Sequence, residues 1–253
     1  MLSLKSIKSQ KERDRLGVFV VEGLKFVGEI PSDWKVLAYV VQGGFKGSLD
    51  QYKKRAPCIQ VSEKTFAGIA EASTPQGILA IVEKKYHTPA EIFAMANARK
   101  VGAKFLLLLE SMSDPGNAGS LVRTACAAGA AGVVFTQGSA GHFRPKTQRA
   151  SAGMALRIPI ASDVEIQKVL RLAEIHALPI YAAHAKAGKL PQHVDFTAPF
   201  CLALGSESRG LSPVLQSAAK SLMRLPMAGG MDSLSAAAAG AVLMYEAVRQ
   251  NMK

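Results

Sequence analysis

Three short stretches of this chain combine turn residues with side chains able to grip an anion or a hydroxyl. In DPGNAGSLVR, Asp114-Pro115-Gly116-Asn117 forms a turn, Gly119 permits close backbone approach, and Arg123 falls in the first turns of the helix that follows. In GSESRG, a carboxylate, Glu207, lies between Gly205 and Gly210. In LPMAGGMDSLS, Leu225 and Met227 lead through Gly229 to Ser233, Leu234 and Ser235, where an Ala-rich segment begins. Taken singly, each has an ordinary reading: a capped turn with a surface arginine, a solvated turn, an N-capped core helix.

Other chemistries find no support. No GxGxxG follows a strand, and no GxSxG elbow is present. Gly205 and Gly210 have Walker-like spacing, but Leu211 stands where a phosphate-binding loop needs Lys. His87, His142, His176, His184 and His193 lack the spacing of metal ligands, so no metal is expected. His142, beside Arg144 and Lys146, reads as a plain surface histidine. Cys58, Cys126 and Cys201 lie far apart, which excludes a disulfide scaffold and suits a reducing cytoplasm. No apolar run reaches the roughly 18 residues of a membrane span, and the first residues lack a signal peptide's apolar core. A cytoplasmic location without membrane attachment is expected.

Charge points to a partner. The chain of 253 residues carries 31 basic and 19 acidic side chains, a formal balance of +12. Such an excess favours a polyanion, because each cation placed on a phosphate releases counterions. Lys5, Lys8, Lys11, Arg13 and Arg15 crowd the N-terminus. No acidic residue occurs between Asp114 and Asp163, where Arg123, Arg144, Lys146, Arg149 and Arg157 fall. Aromatic residues are only 6% of the chain, so contact with phosphate and ribose is favoured over stacking on bases. Lys5, Lys8, Lys11, Arg13, Arg15, Arg144, Lys146 and Arg149 are the candidate RNA contacts.

The elements that must hold these loops alternate between strand and helix. Val18–Gly23, Val36–Val41, Cys58–Val61 and Gly77–Glu83 read as strands, with short helices around Leu49–Arg55 and Glu63–Ala70. Residues 86–103 read as a linker between a first domain, 1–85, and a second, 104–253, with Pro89 at a helix start. FLLLLE, at 105–110, has the continuous apolar run of a strand buried on both faces of a parallel sheet. Further strands are expected at 132–136, 179–183, 200–205 and 221–226, and a final helix from about Ser233 to Gln250. The class is α/β with a mostly parallel sheet. In such sheets ligands bind beyond the carboxyl ends of strands, where all three loops belong.

In order and spacing, DPGNAGSLVRTACAAG, LALGSESRGLS and LRLPMAGGMDSLS closely resemble the three motifs of the SpoU (TrmH-like) branch of the SPOUT methyltransferases. The intervening KTQRASAGMALRIPI is similar to the family's connecting stretch. RLGVFVVEGLKFVGEI resembles the L30e-like substrate-binding domain that often precedes it. The resemblance implies a catalytic domain with a deep trefoil knot, a homodimer, and methyl transfer from S-adenosylmethionine to a ribose 2′-hydroxyl of structured RNA, rRNA favoured over tRNA. It implies cofactor contacts from Gly205, Leu225, Met227, Gly229 and Leu234, and catalytic roles for Arg123, Asn117, Glu207 and Ser233. Arg123 would stand nearest the acceptor. A guanidine free to act as base is about one in 10^5 near neutral pH, so a charged Arg123 that steadies the emerging alkoxide is the easier chemistry. The family's SLN reads Ser233-Leu234-Ser235 here, which keeps open an enzymatically weak RNA-binding protein, such as a ribosome assembly factor.

Overall fold

The computed structural model describes residues 7–229 and 231–252. The chain divides into two compact units, one reaching to Lys85 and including Phe143–Gln148, the other holding Tyr86–His142 and the remainder from Arg149.

The first unit contains α1 (Gln10–Arg15), β1 (Val18–Glu22), α2 (Leu24–Gly28), β2 (Val36–Gln42), α3 (Asp50–Lys53), β3 (Cys58–Val61), α4 (Glu63–Ala67) and β4 (Ile78–Glu83). Its sheet runs β1-β4-β2-β3, with β4 antiparallel to both neighbours and β3 parallel to β2. Val20, Val40, Leu79 and Ile81 meet Phe66 of α4 in its core.

Arg13, expected on an RNA-binding surface, is instead buried at 3% exposure. Its guanidinium donates to the Ile7 carbonyl at 3.2 Å, Gln10 Oε1 at 3.1 Å and Glu71 Oε1 at 2.8 Å. A buried charge survives folding only when its donors are satisfied, and here they are consumed internally. Arg15 stays on the surface but pairs with Glu12 at 2.8 Å. Lys5 lies outside the described residues.

Two expected boundaries move. Residues 143–148, assigned from sequence to the second domain, cluster with the first unit. The Phe143 ring packs 4.6 Å from Phe19 and 6.2 Å from Trp34, and an apolar ring goes where apolar partners are. The expected linker holds α5 (Pro89–Ala98), opened by a capping box in which Thr88 accepts from the Glu91 N–H and Glu91 from the Thr88 N–H. Ile92, Phe93 and Ala96 of α5 are buried in the second unit's core, so this segment is part of that unit.

The second unit continues with β5 (Phe105–Glu110), α6 (Pro115–Ala127), β6 (Val133–Thr136), α7 (Pro145–Ala150), β7 (Ile160–Val164), α8 (Ile166–Ile175), β8 (Ile180–Ala183), β9 (Phe200–Gly205), α9 (Pro213–Ala218), β10 (Ser221–Met223) and α10 (Ala236–Gln250). Residues 145–148 of α7 are those of the first unit. Six strands lie in the order β10-β8-β9-β5-β6-β7, every pair parallel. Every residue of β5 is buried, as its apolar run requires. Phe105, Leu107 and Leu109 face α6 and α10, whereas Leu106 and Leu108 face α5, α8 and α9.

Sequence reading missed β7 and α8. The strand IASDV is weakly apolar, and Asp163 adopts φ +60 where the β6–β7 register shifts. His142 is not a surface group. It is 3% exposed, its Nδ1 lies 2.7 Å from Ser162 Oγ, and its ring stacks on Phe135 at 6.4 Å.

Candidate active site

A cleft opens at the carboxyl ends of β8, β9 and β10, three neighbours at one side of the parallel sheet. Leu204, Met223, Leu225, Leu234 and Leu243 give it apolar walls, and His184, Ser206, Glu207 and Ser233 bring polar groups to it. This is the mixture that small-molecule sites use: apolar area for affinity and a few polar groups for orientation.

The loop after β9 is held at several points. Ser206 and Gly210 form a bridge, with the Gly210 N–H donating to the Ser206 carbonyl at 2.8 Å. Gly210 sits at φ +65, a conformation glycine adopts freely. A Cβ on Gly205 would fall 2.1 Å from the Gly210 carbonyl carbon. Glycine is therefore required at 205 for the loop to close on itself, before any ligand is considered. Glu207 Oε1 accepts from the Ala236 N–H at 3.3 Å, tying this loop to the start of α10.

The loop after β8 runs against β10. The His184 N–H donates to the Met223 carbonyl at 2.8 Å and the Lys189 N–H to the Leu222 carbonyl at 2.9 Å. His184 Nδ1 accepts from the Lys186 and Ala187 N–H groups at 3.1 and 2.9 Å. That leaves the ring proton on Nε2. Sequence reasoning tested His184 only as a metal ligand. The signal that could have found it was its place one residue past a parallel strand's carboxyl end.

The third loop leads into α10. The helix begins at Ala236, not at Ser233, and Ser235 is its N-cap, with Oγ accepting from the Ala238 N–H at 3.2 Å. Ser and Asn are equally good N-caps, so the departure from the family's SLN preserves this capping function. Ser235→Ala should lower stability by about 1 kcal/mol while Ser235→Asn leaves it unchanged, read as Tm by calorimetry. Equal Tm values for the two variants would remove the capping role.

α6 carries the remaining candidates. Asp114 caps it, accepting from the Asn117 N–H at 2.7 Å, with Pro115 at the first helical position. Asn117 is half-buried and Arg123 exposed. Neither lines the cleft, nor does Gly229, which occupies a turn at φ +67. Gly205, Leu225, Met227, Leu234, Glu207 and Ser233 do line it. Gly240 of α10 accommodates Leu121 of α6, whose Cδ2 lies 2.4 Å from where a Cβ would be, so the helix bearing Arg123 packs closely on the helix that Ser235 caps.

Cysteine nucleophiles do not enter. Burial pushes the thiols of Cys58, Cys126 and Cys201 above the ordinary value, which disfavours a reactive thiolate. Among the described residues, no three His, Cys, Asp or Glu side chains gather as a metal site would require.

Residues 104–245 match the model of the SpoU rRNA Methylase family. The chain belongs to that family. A further model, the MRM3-like substrate binding domain, matches residues 2–80. The 23S rRNA (guanosine(2553)-2′-O)-methyltransferase RlmP of Bacillus subtilis (strain 168) is 29% identical over 241 residues, 95% of this chain and 92% of that protein. An AdoMet-bound rRNA methyltransferase from Sinorhizobium meliloti superposes with TM-score 0.86 at 27% identity, covering 99% of this chain and 94% of the other. The SpoU methyltransferase AviRb of Streptomyces viridochromogenes, in complex with the cofactor AdoMet, gives TM-score 0.86 at 25% identity over 98% and 95%. The cleft is lined by residues of the GSESRG and LPMAGGMDSLS loops and of the loop after β8, while α6 carries the DPGNAGSLVR stretch.

Proposed function

We propose that this chain transfers a methyl group from S-adenosylmethionine to a ribose 2′-hydroxyl of structured ribosomal RNA, acting in the cytoplasm as a homodimer with its catalytic loops knotted as the family resemblance implies. Membership of the family makes it an S-adenosylmethionine-dependent RNA methyltransferase. The finer reading rests on the cleft, where the second and third motif loops meet at the carboxyl ends of neighbouring parallel strands.

The cleft's donor set fits this cofactor. Leu204, Leu225 and Leu234 offer apolar surface for a purine, while the strand-end backbone, Ser233 and His184 offer polar groups for its edge, ribose and amino-acid part. Gly205, Leu225, Met227 and Leu234 would hold it, with Gly229 shaping the loop. The bound cofactor supplies a methyl group already activated on a sulfonium.

The chain's own part is orientation and charge stabilisation. Arg123 is exposed on α6, where a helical side chain leans back toward the preceding turn and Ser120. As a charged fork, Arg123 grips the phosphate beside the acceptor and stabilises the oxyanion as the hydroxyl loses its proton. Asn117 lies six residues earlier, about 120° away around α6 and so on a different face from Arg123, and its assigned role is to orient the acceptor ribose. Ser233 supplies a hydroxyl within the cleft. Glu207, bonded to the Ala236 N–H, keeps the second motif loop in register with α10.

Lys8, Lys11, Arg144, Lys146 and Arg149 are exposed, as an RNA contact must be. Joint replacement of Lys8 and Lys11 by Ala should flatten the slope of log affinity against log salt by about 1 to 2, whereas Arg13→Gln should lower Tm and leave the slope alone. An unchanged slope in the lysine variant would remove those residues from the RNA interface. For the dimer, α10 exposes Val242 and Tyr245 on one face, with Met252 beyond its end. A monomer by light scattering at micromolar concentration would overturn that part.

The decisive test is titration with S-adenosylmethionine followed by tritiated methyl transfer to rRNA and tRNA. One site per chain and 2′-O-methylation of rRNA are expected. Absence of cofactor binding would defeat the reading, and methylation of tRNA alone would move the substrate.

A further inference from the structure

Glu110 is the last residue of β5 and one of few charged side chains in the second unit's interior, at 7% exposure. It stands beside Gly205 in the β5–β9 register, at the point where the second motif loop leaves the sheet. Its Oε2 reaches past that loop and accepts from the Ser212 N–H at 2.7 Å. Ser212 is the N-cap of α9, and its own Oγ accepts from the Leu215 N–H at 3.3 Å. The loop from Ser206 to Leu211 is therefore enclosed between Gly205, beside which the carboxylate is rooted, and Ser212, which it holds.

We propose that Glu110 is a positioning residue for the cofactor cleft. Through Ser212 it sets the span of the loop that presents Ser206, Glu207 and Gly210 to the ligand. This rests on the assignment of the cleft to S-adenosylmethionine. A charge-assisted bond to a backbone N–H is stronger than a neutral one, and a short 2.7 Å contact belongs to that class. Removing the acceptor leaves a backbone donor without its partner and frees the loop's far end. The ligand would then have to order the loop on binding, so affinity falls while chemistry in the saturated complex is little changed.

Three variants separate this from a bulk structural role. Glu110→Met keeps the volume without the acceptor, Glu110→Gln keeps a carbonyl acceptor without the charge, and Glu110→Asp keeps the charge on a shorter arm. The probe is S-adenosylhomocysteine, titrated calorimetrically, with the KM for S-adenosylmethionine and kcat measured on the same preparations. Wild-type protein must bind the probe; if it does not, the cofactor reading itself fails.

Given wild-type binding, Glu110→Met should raise Kd and KM about tenfold or more with kcat within about threefold, and Glu110→Gln should restore most of the loss. Glu110→Met binding as tightly as wild type would overturn the proposal, as would equal losses in kcat with KM unchanged. Should the Met variant not fold, Glu110→Asp carries the same KM-against-kcat comparison. The Ser212 amide proton in the wild-type NMR spectrum gives a further reading: a resonance shifted downfield and moved by Glu110→Gln supports the bond, and one indifferent to that change refutes it.

Discussion

Arg123→Ala will lower kcat for methyl transfer at least about a thousandfold while the affinity for S-adenosylhomocysteine stays within about twofold. The size follows from removing one preorganised charge donor at an oxyanion, which costs about 10^2 to 10^3 in kcat, with loss of the phosphate grip added. Binding of the cofactor product is spared because Arg123 is exposed on α6 and does not line the cleft. For the same reason Tm should move little, since exposed positions away from caps and cores tolerate substitution within about 0.5 kcal/mol. Arg123→Lys keeps the charge but not the planar fork and should recover only part of the rate. Single-turnover methyl transfer with saturating cofactor is the measurement. Turnover near wild type in the Ala variant would remove Arg123 from the chemistry.

The second large effect falls on the cofactor loop. Gly205→Ala will weaken S-adenosylhomocysteine about a hundredfold or more, because the added Cβ lands 2.1 Å from the Gly210 carbonyl carbon, where only backbone could move aside. Overpacking of this kind costs about 1 to 3 kcal/mol or more, and each 1.4 kcal/mol is a tenfold change in affinity. Gly210→Ala provides the comparison. Its Cβ would meet nothing within 4 Å, so only the strain of φ +65 is added, a cost of about 1 to 2 kcal/mol. The expected order of loss is Gly205→Ala greater than Gly210→Ala. The reverse order, or Gly205→Ala binding within threefold of wild type, would show that the loop reaches its binding geometry without this close contact.

Sequence alone determined those features whose causes are local. The unbroken apolar run from Phe105 to Leu109 reads as a strand covered on both faces, and it lies at the centre of a wholly parallel sheet. Pro89 marked a helix start, because proline geometry and capping act within three or four residues; the turn expected at Asp114-Pro115-Gly116-Asn117 is instead the first turn of α6, with Asp114 as its N-cap. The three motif loops were legible as a set from their order, which is why the family could be recognised before any contact was known.

Tertiary structure decided whatever depends on a distant partner. Arg13 looked like an RNA contact in its basic neighbourhood, yet it is paired with Glu71, 58 residues away. His142 looked solvated beside Arg144 and Lys146, yet it is buried against Ser162 and Phe135. Phe143 left the domain its position assigned it because Phe19 and Trp34 offered it an apolar surface. Ser235, not Ser233, caps α10, and the Ala236 N–H that follows it is held by Glu207, 29 residues away. Glu110 and Ser212, 102 residues apart, become partners only when β5 and β9 lie side by side. Periodicity and turn chemistry report a residue's own surroundings along the chain; burial, ion pairing and loop closure are settled by which surfaces the sheet brings together.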